Sequence, residues 1–148
     1  MQLFLSKYYN NIDKKGRVSV PANYRAMLSQ GGFEGMIIYP SIKHNCLEGS
    51  SINRLMHLSD LIDTLDPYSD ERDAFEAVVM AESQQLNFDS EGRIVVNNKL
   101  LDHAGIKGKA CFVGKGKVFE IWNPEKFDEY LIKAKKIAHE KRFLLKNM

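Results

Sequence analysis

The chemistry that stands out in this 148-residue sequence lies in a five-residue motif, Asp-x-x-Gly-Arg, which occurs twice. The first copy runs from Asp13 to Arg17 and the second from Asp89 to Arg93, half a chain later. An Asp side chain accepts hydrogen bonds from amides that follow it in a turn. The guanidinium of Arg is a planar, permanently charged donor that suits carboxylates, phosphates and guanine edges. We therefore predict two turns that present Arg17 and Arg93 as candidate binding residues.

The two copies differ in charge. Lys14 and Lys15 precede Arg17, which places three cations within four residues, whereas the second copy has Ser90 and Glu91 at the matching positions. Lysines at a protruding tip suit contact with DNA phosphates, so the first copy is the better candidate for nucleic acid. The alternative is that each Arg only pairs with the Asp of its own turn. The three clustered cations argue against that alternative for Arg17.

Apolar residues flank both motifs, so each copy is predicted to form a tight β-hairpin around its turn. In each turn Asp accepts amide hydrogen bonds, and Gly takes a positive φ without a Cβ clash. These turn roles alone explain the presence of both residue types. The residues assigned to them are Asp13, Gly16, Asp89 and Gly92.

Other elements must position these turns. Short helices are predicted over 21–28 and 97–104, and longer ones over 52–65, from Ser69 onward and from Asn123-Pro124 onward. Strands are predicted over 36–39, 110–113 and 118–122, the last two as a hairpin. The side chains expected to face inward from the longer helices are Leu55, Leu58, Leu61, Ile62, Phe75, Val78, Val79, Phe127, Tyr130, Leu131, Ala134 and Ile137.

Strands and helices interleave irregularly, which predicts an α+β fold and not a parallel βαβ arrangement. The motif repeat divides the chain into two homologous halves, roughly 1–75 and 76–148. No linker rich in Pro, Gly or Ser separates them, so we expect one fused core.

The net charge of +2 hides an uneven distribution. Residues 1–35 carry five Lys/Arg against two Asp/Glu, residues 36–92 three against eleven, and residues 93–148 thirteen against six. The segments therefore carry +3, −8 and +7, and a local field of this kind can steer a polyanion to a surface. Solvated helix faces are the alternative interpretation. Arg25, one turn into the first helix, is a further DNA-binding candidate that could equally cover the protein surface.

Several classes of protein are excluded. No apolar run reaches the roughly 20 residues of a membrane span, and the N-terminus lacks a secretory pattern. Cys46 and Cys111 suit buried thiols in a reducing cytoplasm. The four histidines have no metal-ligand spacing, and Gly114–Lys117 reads as a hairpin turn and not a nucleotide-binding loop. We predict no catalysis, metal, cofactor or small-molecule substrate.

In these residues the chain resembles the MraZ family. The resemblance rests on the frame 13–21, its second copy at 89–93, and the apolar runs 112–114 and 119–122, and it spans nearly the whole chain. It implies a double-split β-barrel built from two tandem half-repeats, related to the swapped-hairpin barrel of AbrB-type regulators. It also implies a bacterial regulator of the division and cell-wall gene cluster. Such regulators form closed rings, associate with the nucleoid and bind direct repeats in double-stranded DNA upstream of their own operon.

Carried over by position, Arg17 and Arg93 stand where the family places its DNA-linked arginines, most clearly at Arg17. The sequence departs from the pattern at Ser6, where the family usually has Gly, and over 47–50, where a more apolar strand is usual. A hypothesis from another class is a scaffold ring whose hairpins dock an acidic protein and bind no DNA.

Overall fold

A computed structural model describes residues 3–29 and 32–146 of the chain. It contains eight strands and five α-helices within those residues, which confirms the α+β class. The strands are β1 (Lys7–Asn11), β2 (Arg17–Ser19), β3 (Gly35–Pro40), β4 (Leu47–Ser50), β5 (Gln84–Asn87), β6 (Arg93–Val95), β7 (Lys109–Gly114) and β8 (Phe119–Trp122). The helices are α1 (Ala22–Leu28), α2 (Ile52–Asp63), α3 (Asp70–Phe75), α4 (Asn98–Ala104) and α5 (Pro124–Glu140). A π-helical turn (Glu76–Ala81) extends α3 and a 3-10 turn (Arg142–Leu144) follows α5.

Side-chain caps start four of the five helices where the sequence predicts them. The hydroxyls of Ser51 and Ser69 accept hydrogen bonds from the amides of Arg54 and Arg72, three residues into α2 and α3. The Asn97 side chain does the same for α4, and Asn123 caps α5 ahead of Pro124. Each cap satisfies an amide that the helix itself leaves unpaired, so these boundaries depend only on nearby sequence.

The strands form one six-stranded antiparallel sheet, in the order β1-β7-β8-β4-β3-β5, and a separate two-stranded ribbon of β2 and β6. Strand β1, from the start of the chain, pairs with the β7–β8 hairpin near its end. Reciprocally, β5 pairs with β3 of the β3–β4 hairpin. The two halves of the chain therefore interlock, because each half contributes a strand that pairs with a hairpin of the other half.

The predicted hairpin around each Asp-x-x-Gly-Arg motif is present only next to the turn and does not continue into paired strands. Only one bridge, Ile12 to Val18, joins the two arms of the first copy among the described residues. Beyond that point β1 joins the large sheet, whereas β2 pairs with β6 of the second copy. The arms separate because each finds a longer pairing partner in the other half of the chain.

The main core lies between the large sheet, the ribbon and helices α1 and α4. Tyr24 is fully buried there, with its ring 4.9 Å from that of Phe119. Its hydroxyl donates a 2.7 Å hydrogen bond to the carbonyl of Ser6. Ser6 has a φ of +70°, a conformation that favours Gly. The tyrosine thus holds a strained backbone segment next to β1.

Replacing Tyr24 with Phe is expected to lower the free energy of unfolding by about 1 kcal/mol, the usual net value of one buried hydrogen bond. The loss stays small because the Ser6 carbonyl also accepts a bond from the Gly114 amide at 2.9 Å. Denaturant unfolding measures it. Tyr8→Phe is the matched control, because the Tyr8 hydroxyl accepts from Asn23 at the surface, where water can replace it. Equal losses in the two variants would contradict the assignment.

The opposite face of the large sheet is covered by other helices. Helix α5 packs Phe127 on Trp122, and the π-helical turn packs Val79 on Ile37 and Tyr39. Leu61, Phe75, Val78 and Ile137 were expected to be buried but are 37–58% exposed. Periodicity predicts which side chains share one face of a helix, but it does not show how much of that face the rest of the protein covers.

The two cysteines are buried, as the sequence predicts. Cys46 and Cys111 are both buried free thiols, and burial raises the pKa of Cys111 to about 11. Among the described residues, no helix is long and apolar enough to cross a membrane.

Candidate nucleic-acid interface

The first motif folds into a turn closed by its own Asp. One carboxylate oxygen of Asp13 accepts hydrogen bonds from the amides of Lys15 and Arg17, both at 2.9 Å, and the other accepts from Nε of Arg17 at 2.7 Å. The Gly16 amide donates to the main-chain carbonyl of Asp13 at 3.0 Å, with a φ of +84° at Gly16. The carboxylate therefore fixes both the turn and the direction of the arginine.

The second motif reproduces this geometry. Asp89 accepts from the amides of Glu91 and Arg93 at 2.9 Å and from Nε of Arg93 at 2.8 Å. Gly92 has a φ of +74°. Corresponding distances agree within 0.1 Å, so the sequence repeat is also a repeat of local structure.

Hydrogen bonds hold the pKa of both carboxyl groups below the ordinary value, chiefly those from the backbone amides of Arg17 and Arg93. The folded state thus binds these protons less readily than the unfolded state. This stabilisation is fully present above the ordinary pKa of about 4 and is lost as the pH falls through the lowered values.

We therefore expect the double variant Asp13→Asn/Asp89→Asn to lose less stability than the wild type between about pH 4 and pH 2. The urea concentration at the midpoint of unfolding, determined at several pH values across this range, measures the difference. Asp102→Asn is the control, because its exposed carboxylate makes none of these hydrogen bonds in the described part of the chain. A double variant with the wild-type acid profile would show that the turn carboxylates do not act in this way.

Strands β2 and β6 bring the two turns together in one antiparallel ribbon. Arg17 lies opposite Val95, Val18 opposite Ile94, and Ser19 opposite Arg93. The two ends are closed by equivalent bonds, from the Val20 amide to the Gly92 carbonyl at 3.1 Å and from the Val96 amide to the Gly16 carbonyl at 2.9 Å. The ribbon therefore has near-twofold symmetry about its central pair.

One face of the ribbon is buried and apolar, and the other face is more exposed and carries charged side chains. The side chains of Val18 and Ile94, at the centre of the ribbon, are 1% and 0% exposed and belong to the core. Because successive residues of a strand point to opposite sides, the other face presents both arginines. We call this face the arginine ribbon; it consists of Arg17, Ser19, Arg93 and Val95. The arginines lie two positions apart along it, or about 7 Å.

The two ends of the arginine ribbon are not equivalent electrostatically. Nη1 of Arg93 lies 3.5 Å from the Glu91 carboxylate, in addition to the Asp89 contact at Nε. These acidic partners, the Asp89 hydrogen bond first, raise the pKa of Arg93. Arg17 has Asp13 as its one ion-pair partner within the described residues, and it has Lys14 and Lys15, both exposed, beside it. The Arg17 end therefore keeps more positive charge.

Arg25 has a structural place between the two halves. Its Nε donates a 3.1 Å hydrogen bond to the Val20 carbonyl, and the side chain is half-buried. A Cβ added to Gly92 would lie 2.6 Å from its guanidinium carbon, so the side chain covers the second turn directly. The structure thus places Arg25 against the second turn.

Ser19 and Val95 complete the exposed face and were not predicted from the sequence. Val95 is 54% exposed, although a β-branched residue next to a buried run suggests a core position. The period-2 alternation from Arg17 and Arg93 could have identified both residues, but only once β2 and β6 are known to pair.

Other candidate sites lack the necessary grouping. Within residues 3–29 and 32–146, no three His, Cys, Asp or Glu side chains are close enough to hold a metal ion. Gly114–Lys117 joins β7 to β8 as a tight turn.

The fold and site define a class: an α+β protein with two interlocked copies of an Asp-x-x-Gly-Arg turn that share an arginine-bearing ribbon. Comparison with known families agrees. The profile of the family described as "MraZ protein, putative antitoxin-like" matches residues 3–54 and 79–147. The chain belongs to the MraZ family.

Curated relatives match over the full length of the chain. The proteins named "Transcriptional regulator MraZ" from Rickettsia rickettsii (strain Sheila Smith) and Rickettsia canadensis (strain McKiel) are 58% and 57% identical over 147 residues, 99% of each chain. The protein of the same name from Rickettsia bellii (strain OSU 85-389) is 56% identical over 148 residues. Residues 55–78, with most of α2 and all of α3, lie between the two segments matched by the family profile.

Proposed function

We propose that the chain is a sequence-specific DNA-binding regulator of transcription that acts in the cytoplasm, associated with the nucleoid. Its targets are short direct repeats upstream of its own operon in the bacterial division and cell-wall gene cluster. The name shared by its relatives supports the regulatory role. The arginine ribbon supplies a physical basis for the contact with DNA.

The observation that carries this proposal is the orientation of Arg17. Asp13 binds Nε, so the side chain is held in one direction while Nη1 and Nη2 remain available to a ligand. A guanidinium held in this way can donate two parallel hydrogen bonds to O6 and N7 of guanine. The major groove is about 12 Å wide and admits a two-stranded ribbon, so the exposed face can reach base edges.

The neighbouring charges assign different tasks to the two ends of the ribbon. Lys14 and Lys15 would contact phosphates and set the register of the protein on the duplex, while Arg17 reads a base. Arg93 is partly neutralised by Glu91 and would make the weaker contact. Arg25, which lies against Gly92, would support the second turn and contribute to binding indirectly.

We also propose that the chain acts as a homo-oligomeric ring with a double-split β-barrel at its core. The equivalent bonds at the two ends of the ribbon support a division into half-repeats 1–75 and 76–148, of which residues 1–2, 30–31 and 147–148 lie outside the described part. One turn offers about three charged contacts, which is a weak hold at physiological salt. Several identical turns around a ring, matched to repeated sites, convert weak contacts into avidity.

Fluorescence anisotropy with a labelled duplex from upstream of its own operon tests the proposal. We expect this duplex to bind at least about tenfold more tightly than a shuffled duplex, with affinity falling steeply between about 50 and 200 mM salt. Equal binding of both duplexes would exclude sequence specificity. Absence of DNA binding together with a co-purifying acidic protein would favour the scaffold alternative.

A further inference from the structure

Two surfaces of opposite charge lie outside the arginine ribbon. The first is the acidic hairpin, residues 55–78, which carries seven Asp or Glu against one Arg and so has a charge of −6. The second is the basic arm, residues 132–146, which carries six Lys or Arg against one Glu and so has a charge of +5. Their charges are nearly equal and opposite.

The one arginine of the acidic hairpin is used within it. Arg72 donates to the Asp63 carboxylate at 3.0 Å and to the Leu65 carbonyl at 3.1 Å, and so joins α2 to α3. It also lies 3.7 Å from the Glu76 carboxylate. Five further carboxylates have no cation within 4 Å in the described part of the chain: Asp60, Asp66, Asp70, Glu71 and Asp73. The hairpin therefore presents uncompensated negative charge.

Exposed apolar side chains accompany that charge. Met56 is 59% exposed, Tyr68 95% and Val78 43%. A partner that docks on the segment would cover these side chains, and their burial would add to the attraction between the charges.

The basic arm projects from the fold. Every side chain from 135 to 146 is exposed, so the last turns of α5 and the following 3-10 turn have no packing partner in the rest of the described chain. None of the six arm cations forms an ion pair within residues 3–29 and 32–146. The arm also carries five apolar residues that are 58–73% exposed: Ile132, Ile137, Phe143, Leu144 and Leu145.

We propose that the basic arm of one copy docks on the acidic hairpin of a second copy. This contact rests on the proposed ring and names the surfaces that would build it. It joins two different surfaces, so each subunit offers one of each, and a head-to-tail contact of this kind closes into a ring when the rotation permits. The occupant is a second copy because the two surfaces match in charge and in exposed apolar groups.

DNA is the alternative partner of the basic arm, because it also carries a high density of negative charge. Phosphates would pair with the lysines, but they would leave the consecutive apolar residues Phe143, Leu144 and Leu145 exposed to water. The acidic hairpin supplies both carboxylates and apolar side chains, so it covers the arm more completely.

Charge reversal tests the contact with the full-length chain. The arm variant is Lys135→Glu/Lys136→Glu and the hairpin variant is Asp70→Lys/Asp73→Lys. Each alone is expected to reduce the mass measured by light scattering from that of a ring towards the single-chain 16.9 kDa. An equimolar mixture of the two variants, or one chain with all four substitutions, is expected to regain the larger mass, because the substituted positions of the two surfaces again carry opposite charges. Circular dichroism checks that each variant is folded.

The control is Lys43→Glu/Lys117→Glu, which makes the same charge change at two exposed loop positions and is expected to keep the wild-type mass. An arm variant that keeps the ring mass overturns the proposal, and if it also loses DNA binding, the arm's partner is DNA. Failure of the variants to recover mass on mixing overturns it as well.

Anisotropy with a duplex carrying one repeat, measured on the same variants, separates this proposal from the DNA-binding function. Loss of the ring with unchanged single-repeat binding supports both proposals. A ring that depends on these charges in a protein that binds no DNA would support the contact and reject the regulator.

Discussion

Replacing Arg17 with Ala is expected to reduce affinity for the upstream duplex by about 100-fold or more, while affinity for a shuffled duplex changes only slightly. One bidentate arginine–guanine contact is worth about 1–3 kcal/mol of base discrimination, or roughly 5- to 150-fold. A ring that engages two repeats loses this contact at each of them, so the losses multiply. Shuffled DNA is held mainly through phosphates, and Lys14 and Lys15 remain to make those contacts.

The fold is expected to survive this substitution. The Arg17 side chain is 39% exposed, and a surface ion pair such as its contact with Asp13 contributes about 0–1 kcal/mol. Light scattering should therefore give the wild-type mass, and thermal unfolding a transition within a few degrees of wild type. An unfolded or dissociated product would mean that Arg17 acts through structure and not through DNA.

Two further variants make the result specific. Arg93→Ala removes the equivalent residue of the second copy, which Glu91 already neutralises in part, and should cost clearly less affinity. Arg17→Lys keeps the charge but loses the planar pair of donors, so it should retain binding to shuffled DNA and lose specificity. If Arg17→Lys bound the upstream duplex as tightly as the wild type, charge alone would explain the role of this residue.

Features that depend on neighbouring residues could be predicted from the sequence. The two turns, their Asp and Gly roles and the four capped helix starts each depend on contacts within about four residues. Local hydrogen bonds of this kind leave a signature in residue order, so the candidate arginines could be identified without a structure.

The pairing of the strands could not be predicted in the same way. Val18 and Ile94 meet across 76 positions of sequence, and no local pattern indicates that β2 prefers β6 to β1. The exposed face of the ribbon and the place of Arg25 against Gly92 both depend on that pairing. Burial along the helices was unpredictable for a related reason: Ile137 continues the apolar face of α5 but is 58% exposed, because periodicity does not show how much of that face is covered.

The second large effect is expected from Gly16→Ala, which should lower the free energy of unfolding by about 3 kcal/mol or more. The φ of +84° already disfavours any side chain, at a cost of about 1 kcal/mol for Ala. In addition, the new Cβ would lie 2.2 Å from the carbonyl oxygen of Val96. A backbone atom can yield only if the ribbon moves, which would also strain the hydrogen bond from the Val96 amide to Gly16.

Two other glycines distinguish the destabilisation caused by a positive φ from that caused by a steric clash. Gly116 has a φ of +86° with no heavy atom within 4 Å of an added Cβ, so Gly116→Ala should cost only the conformational term. A Cβ at Gly92 would meet the guanidinium of Arg25, the far end of a flexible side chain that can move aside, so Gly92→Ala should fall between the other two.

Urea unfolding of the three Ala variants measures this order, with the largest loss at Gly16 and the smallest at Gly116. Because the φ values differ by at most 12°, the excess at Gly16 reports the close approach of the two halves at that end of the ribbon. Similar losses at all three positions would show that the ribbon adjusts freely to an added methyl group. It would then be too compliant to hold Arg17 and Arg93 at a fixed spacing for reading DNA.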